Sequence, residues 1–326
     1  MVRLSDVAAR AGVSLGSASR AVNGHPGVGA ELRERVEVAA RELGYRPNPL
    51  AKGLRMRRAQ LVSLVVPDIT NPFFAELAKE LELACSERGY QLTLRNSMES
   101  ADTEREAVLS AADHNPRGVV VVPTGGTVEL PDTGEVPLVV CDRSVAGCPA
   151  PAVVSDNRLG ASAAVAYLRG LGHERIACVA GPAGVRAADE RLAGYLAVMG
   201  GMPGGGQLVT RGPFDYEFGM VAAHRLFDQD RPPTAVFASS DQQAVGVLHA
   251  CVQRGLRVPA DVSICGFDAI ALSALTSPPL TTVRQPVRQI AARVTGLLLD
   301  DEAVSPYTTV SLPTELVVRE SCAPPP

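Results

Sequence analysis

The stretch Leu4-Ser5-Asp6-Val7-Ala8-Ala9-Arg10-Ala11-Gly12-Val13-Ser14-Leu15-Gly16-Ser17-Ala18-Ser19-Arg20-Ala21-Val22-Asn23 reads as two short helices joined by a sharp break. Gly12 suits a left-handed turn at little steric cost. Ser14 can cap the second helix, its hydroxyl accepting from a free backbone N–H. On that helix Ala18 and Val22 stand at i and i+4 and make an inner face, while Leu15, Gly16 and Arg20 fall opposite. Arg20 therefore points away from a small rigid helix pair, the geometry of a helix-turn-helix reader.

A third helix is expected from about Ala30 to Leu43, where Leu32, Val36, Ala39, Ala40 and Leu43 recur at helical spacing against a charged face. Gly44 supplies its stop. Residues 45–60 then bring Pro47 and Pro49, so they cannot simply continue that helix. The segment has modest helical potential and five basic residues, Arg46, Lys52, Arg55, Arg57 and Arg58. Alone it should be marginal; it reads as a linker, or as a segment that folds on nucleic acid.

Charge supports that division. The first 58 residues hold 11 Lys/Arg and 5 Asp/Glu, a balance of +6, so the remainder of a chain of net charge −4 carries −10. A basic head on an acidic body suggests that the head alone meets a polyanion. The seven cysteines are scattered, odd in number and without a C-x-x-C pair, which argues against a zinc knuckle and a disulfide framework. No metal and no cofactor is expected. The opening MVRLSDVAAR has no long apolar run, and no segment reaches about 18 apolar residues. A cytoplasmic, nucleoid-associated protein with no membrane partner is expected.

From Leu61 the texture becomes strand–helix alternation. Leu61–Val66 is an apolar run ending in Pro67-Asp68, as a buried parallel strand would be. Further runs lie at Gln91–Arg95, Gly118–Val122, Leu138–Cys141, Ala152–Ser155, Ile176–Ala180, Ala235–Ala238 and Val262–Cys265, with amphipathic segments between many of them. The expected fold is α/β, a doubly wound parallel-sheet core of two similar lobes behind an all-α headpiece. Ligands collect at the carboxyl ends of such strands, where this sequence repeatedly places Asp: Asp68, Asp142, Asp156, Asp241 and Asp268. With arginines and aromatic faces nearby, that set suits a small polar ligand such as a sugar. Gly200–Gly206 is expected to be a surface loop, and 322–326 a disordered tail.

These residues resemble the LacI family of bacterial transcription regulators. The likeness runs through Ala11-Gly12-Val13-Ser14, Leu43-Gly44-Tyr45-Arg46-Pro47-Asn48, Val65-Val66-Pro67-Asp68, Asn71-Pro72-Phe73-Phe74, Cys141-Asp142-Arg143, Asp156-Asn157, Arg191-Leu192-Ala193-Gly194-Tyr195, Gly266-Phe267-Asp268 and Thr281-Thr282-Val283-Arg284-Gln285-Pro286, in order and over nearly the whole chain. The resemblance implies a headpiece over 1–45, a hinge helix over 46–60 and an effector-binding and dimerisation core over 61–321, periplasmic-binding-protein-like. Its N-lobe would take about 61–155 and 286–311, and its C-lobe about 156–285 and 312–321. The implied function is a ligand-responsive repressor, not an enzyme. It binds a near-palindromic double-stranded DNA operator as a homodimer (in some members a tetramer) under control of a small-molecule effector, here a sugar or sugar derivative.

Carried across by position, the resemblance places Ser14, Ser17 and Asn23 on phosphates and Arg20 on a base edge. Leu54 becomes a wedge in the minor groove, and Ser5, Leu15, Gly16, Tyr45, Asn48 and Ala51 complete the expected DNA-binding set. Phe73, Phe74, Asp142, Arg191, Phe214, Ser240, Asp268 and Gln285 fall where the family touches effectors. Arg191 and Asp268 can each grip adjacent hydroxyls in a bidentate way. The chain departs from the family in three places. Leu15 and Gly16 cannot hydrogen-bond a base through their side chains, which shifts readout toward Arg20 and DNA deformability; Ser240 stands where Asn is common; and Gly29 replaces Ser before the third helix.

Two other readings meet obstacles. Gly12-Val13-Ser14-Leu15-Gly16 matches the G-x-S-x-G nucleophile elbow, but that elbow needs an apolar strand before it and finds the polar Ser5–Ala11 helix. A solute-binding protein without a role in gene control would carry a signal peptide and no basic headpiece.

Overall fold

The computed structural model describes residues 2–22, 27–45, 59–125, 129–145, 147–201, 206, 208–300 and 305–326. Asn23, Asn48, Ala51 and Leu54, the hinge over 46–58 and residues 202–205 of the glycine-rich loop lie outside the described residues. The chain divides into two units, 1–59 and 60–326.

In the first unit, α1 (Leu4–Ala11) and α2 (Leu15–Val22) are separated by Gly12 at φ 64, whose N–H closes on the carbonyls of Ala8 and Ala9. A Cβ is disfavoured in that left-handed conformation, which is why the break falls on glycine. The backbone N–H of Ser17 donates to Ser14 Oγ at 3.1 Å, the N-cap bond expected of Ser14. Helix α3 (Ala30–Leu43) starts at Gly29 without a side-chain cap and stops at the left-handed Gly44. Its Arg35 reaches back to the carbonyl of Ala11 at 2.6 Å and so satisfies the end of α1. Val7, Ala18 and Val36 are wholly buried where the three helices meet. Small residues at this junction let the helices approach closely, and Val7 and Val36 each contribute roughly 1.5–3 kcal/mol by burial.

In the second unit, the N-lobe sheet is built from β1 (Leu61–Val66), β2 (Gln91–Asn96), β3 (Gly118–Val121), β4 (Leu138–Cys141), β5 (Ala152–Ser155) and β11 (Thr309–Leu312). The strands run in the order β11-β5-β4-β3-β1-β2 with every pair parallel. The C-lobe sheet has β6 (Ile176–Ala180), β7 (Val209–Arg211), β8 (Ala235–Ala238), β9 (Ser263–Asp268), β10 (Thr281–Arg284) and β12 (Glu315–Val317). Its order is β12-β10-β9-β8-β6-β7, parallel except for β12 against β10.

Both sheets are covered on both faces, which explains the continuous apolar runs. Within β1, Val62, Leu64 and Val66 face α4 (Pro72–Ser86) and α10 (Val287–Leu299), while Val65 faces α5 (Ala101–Ala112). The C-lobe sheet lies between α6 (Asn157–Gly170) with α7 (Arg186–Met199) and α8 (Tyr216–Phe227) with α9 (Asp241–Gln253). The chain passes between the lobes three times, at 155–157, 284–287 and 312–315. Strand order reverses at β1 beside β3 and at β6 beside β8, so the carboxyl ends there frame the crevice of a doubly wound sheet. No helix among the described residues is long and apolar enough to cross a membrane.

Two expectations change. β7, β10, β11 and β12 escape the apolar-run reading because they are three or four residues long and partly polar. The terminal 322–326 is not a free tail at its start. The Ala323 N–H donates to Ser263 Oγ at 3.0 Å, and its carbonyl accepts from His173 Nε2 at 2.9 Å. A buried histidine and serine need partners, and the tail backbone supplies them.

Candidate functional site

Two regions hold the residues singled out by the sequence. On the headpiece, Leu15 is 54% exposed, and Ser5, Ser14, Gly16 and Arg20 are also exposed. Ser17 is half-buried at the start of α2, its Oγ 2.9 Å from that of Ser14. The face that carries Arg20 is therefore open along its length, and the Arg20 Nε donates to the Gly16 carbonyl at 3.4 Å. Tyr45 is half-buried and packs against the three-helix core.

The second region is the crevice between the lobes. Arg191, on α7, is 4% exposed and is held on three sides. Its Nε donates to Asn157 Oδ1 at 2.8 Å, and its Nη1 donates to the Ser239 carbonyl at 2.7 Å and to Asp268 Oδ1 at 3.1 Å. The guanidinium carbon lies 3.8 Å from the centre of the Phe267 ring and 5.8 Å from that of Phe214. Such a cation over a ring face is favoured most where water is excluded.

Asp268 stands at the carboxyl end of β9 with φ 109, and its Oδ1 also accepts from Gln285 Nε2 at 2.8 Å. Gln285 Oε1 in turn accepts from Ser155 Oγ at 2.6 Å. The chain Ser155–Gln285–Asp268–Arg191–Asn157 thus runs from the end of β5 in the N-lobe, across a crossover, into the C-lobe. Ser155 also lines an open groove of about 680 Å³ between the lobes, with Arg158, Arg186, Asp189 and Thr309 among its walls.

Asp142 approaches from the N-lobe. It is buried at the end of β4 with φ 63, and its Oδ1 has no hydrogen-bond partner. Burial raises its pKa above the ordinary aspartate value, against the opposing pull of Arg191 and Arg143. Asp268 is raised to about 6, chiefly by burial, with Arg191 opposing. Asp241, first residue of α9, is pushed up to about 7 by burial and then by the charge of Asp268. Its Oδ2 accepts from the Ile270 N–H at 2.9 Å and its Oδ1 from Thr282 Oγ1 at 2.5 Å. Two buried guanidinium groups, Arg191 and Arg143, stand among these three carboxylates.

Of the eight crevice residues expected from the sequence, Asp142, Arg191, Phe214, Asp268 and Gln285 come together. Ser240 spends its hydroxyl as the N-cap of α9, accepting from the Gln243 N–H at 3.2 Å. Phe73 and Phe74 are buried in the N-lobe core, edge to face at 5.4 Å, so neither offers an open ring face. Their position just after Pro72 turns them onto the sheet, and stacking is left to half-buried Phe214. The structure adds Asn157, Ser155 and Thr282. Beside the N-cap Asp156, Asn157 reads from sequence as one more helix-start residue, and only the fold brings Arg191 onto it.

Residues 3–48 match the family model for bacterial regulatory proteins of the lacI family, and 165–322 that for a periplasmic binding protein-like domain. The chain is 35% identical over 307 residues to the HTH-type transcriptional repressor CytR of Escherichia coli K12, covering 91% of this chain and 89% of that protein. A transcriptional regulator CelR–cellobiose complex is similar at 34% identity and TM-score 0.74, over 98% of this chain and 100% of that one. The lac repressor dimer bound to operator and the anti-inducer ONPF superimposes at TM-score 0.87 and 27% identity, over 99% of both chains.

Proposed function

Because the chain belongs to the LacI family of bacterial regulatory proteins, we propose a division of labour in which α2 reads operator DNA and the crevice between the lobes reads a small metabolite. The chain is a DNA-binding transcriptional repressor of that family, and not an enzyme.

In this reading Arg20 meets a base edge while Ser14 and Ser17, at the start of α2, meet phosphates, as do Asn23 and the backbone N–H groups of that helix start. Leu54 wedges between base steps from the hinge, and two copies of the chain span a near-palindromic site. The protein acts in the cytoplasm, on the nucleoid.

The observation that carries the crevice assignment is the Ser155–Gln285–Asp268–Arg191–Asn157 chain. It is buried, it joins the two lobes, and Asp142 faces it with an unpartnered oxygen. A sugar or sugar derivative supplies the matching chemistry, hydroxyl donors for Asp142 and Asp268 and an apolar ring face for Phe214. The cellobiose bound by a regulator 34% identical to this chain supports that class. Effector binding then shifts the lobe angle, and by linkage operator and effector change each other's affinity reciprocally.

A thermal-shift panel of sugars, sugar derivatives and nucleosides tests the crevice. A ligand that binds only the folded protein raises its Tm. The reading expects a neutral hydroxylated member to do so with the parent and not with Asp268→Asn. A ligand that stabilises both equally would place its site elsewhere.

A further inference from the structure

Arg143 is among the most buried charged side chains of the N-lobe, at 3% exposure, yet it does not join the Arg191 cluster. It gathers the loops at the carboxyl end of the N-lobe sheet instead. Its Nη1 donates to the carbonyls of Pro123 and Thr124, after β3, at 3.2 and 3.0 Å. Both terminal nitrogens reach Glu99, after β2, at 3.3 and 3.4 Å. The guanidinium carbon sits 5.4 Å from the centre of the Phe74 ring on α4, and Nε is 4.0 Å from Asp142 Oδ2 beside it in the chain. One planar fork, with its donors fixed relative to each other, thus sets four connections at once.

The loop it holds meets the other lobe. Residues 122–125 follow β3, and Glu104 of α5 grips them from the opposite side, its Oε2 accepting from the Thr124 N–H at 2.6 Å. At the end of this lip Gly125 has φ 119, and a Cβ there would lie 2.7 Å from Val185 Cγ2. Val185 is buried and is the N-cap residue of α7, the helix that carries Arg191. Only a glycine combines that φ with that approach.

We infer that Arg143 is a positioning residue for lobe closure: it fixes the 122–125 lip against Val185, and so joins the loops around Asp142 in the N-lobe to the start of the Arg191 helix in the C-lobe. The inference rests on the crevice being the effector site, but its test needs neither effector nor DNA, so the two can fail separately. Arg143→Lys keeps the positive charge and the pairing with Glu99 but cannot hold both lip carbonyls in the fork geometry. Glu99→Gln removes the exposed ion pair and leaves the lip bonds in place.

Backbone hydrogen exchange of the full chain, followed by peptide mass spectrometry, reads the result. Losing charged hydrogen bonds raises local opening about tenfold or more. With Arg143→Lys, exchange is expected to rise by that factor in the peptide spanning the lip and also in the peptide spanning 183–189 across the crevice. Peptides from β8 and β9 should stay at parent rates, and Glu99→Gln should leave all of them near parent. A rise confined to the lip, no rise in either peptide, or a uniform rise through both lobes would overturn the inference.

Discussion

Arg191 and Asp268 share a single 3.1 Å contact, and each is held from its far side by a neutral partner, Asn157 for the arginine and Gln285 for the aspartate. A buried ion pair is costly to desolvate and worth keeping only when its remaining hydrogen-bonding capacity is met. Here it is met by side chains that also join the lobes. The pair therefore serves as a ligand grip and as part of the frame between the lobes.

Removing the arginine leaves Asp268 and Asp142 without their shared buried cation. Arg191→Gln alone should lower stability by about 3–5 kcal/mol in denaturant unfolding, whereas Asp268→Asn removes a carboxylate whose ionised form burial already disfavours and should cost less. The double variant should lose clearly less than the sum of the singles, because the stranded charge disappears. Additive losses would show that the two act independently.

The raised aspartates give stability a definite pH sign. Asp241 is near 7 and Asp268 near 6 in the folded chain, whereas both titrate near 3.8 when unfolded. The folded state therefore holds protons that the unfolded state has released. Stability from these groups falls as pH rises from about 4, levelling off above 6 for Asp268 and above 7 for Asp241. Asp241→Asn mimics the protonated form, so the parent-minus-variant difference in unfolding free energy should fall between pH 5 and pH 7. A difference that stays flat or rises would put the proton elsewhere.

At the headpiece, Arg20→Ala should cost about 1–3 kcal/mol of specific operator affinity and leave effector binding intact. Ser14→Ala should remove about 1 kcal/mol of headpiece stability through the lost cap. Leu54→Ala should weaken specific binding more than non-specific binding, because only a kinked operator uses a wedge. Fluorescence anisotropy on operator and scrambled duplexes distinguishes these effects, and equal losses on both DNAs would count against the wedge.

The chain end supplies another test. Deleting 323–326 removes the Ala323 backbone from His173 and Ser263, which are both buried and keep each other at 3.1 Å, with Thr234 on the other histidine nitrogen. A loss of about 0.5–1.5 kcal/mol in core stability is expected, that of a typical hydrogen bond. A truncated protein with parent stability would show that the ties contribute nothing.

Much of the architecture is legible in the sequence because it rests on local rules. Gly12 and Ser14 mark the helix break by conformation and capping, and the apolar runs from Leu61 onward fix buried parallel strands. Strands such as Thr281–Arg284 are not legible that way. Thr281 and Thr282 are fully buried, but their hydroxyls are satisfied by the Arg319 N–H and by Asp241, partners distant in sequence. The site follows the same division. Arg191, Asp268 and Gln285 come from the family pattern, whereas Asn157, Ser155 and the Arg143 fork depend on crossovers that bring separate strand ends together. Phe73 and Phe74 have the right chemistry for a sugar face, and the turn after Pro72 sends them into the core.

The central claim is that the headpiece grips duplex DNA under the control of whatever occupies the crevice. Its most direct test is equilibrium binding of the full chain to a labelled duplex from upstream of its own gene, across a salt series, with and without the ligand that raises its Tm. The account predicts affinity that falls steeply with salt, exceeds that for a scrambled duplex, weakens with Arg20→Ala by the amount given above and shifts when the ligand is added. Binding that shows no preference for the upstream duplex and no response to that ligand would contradict it.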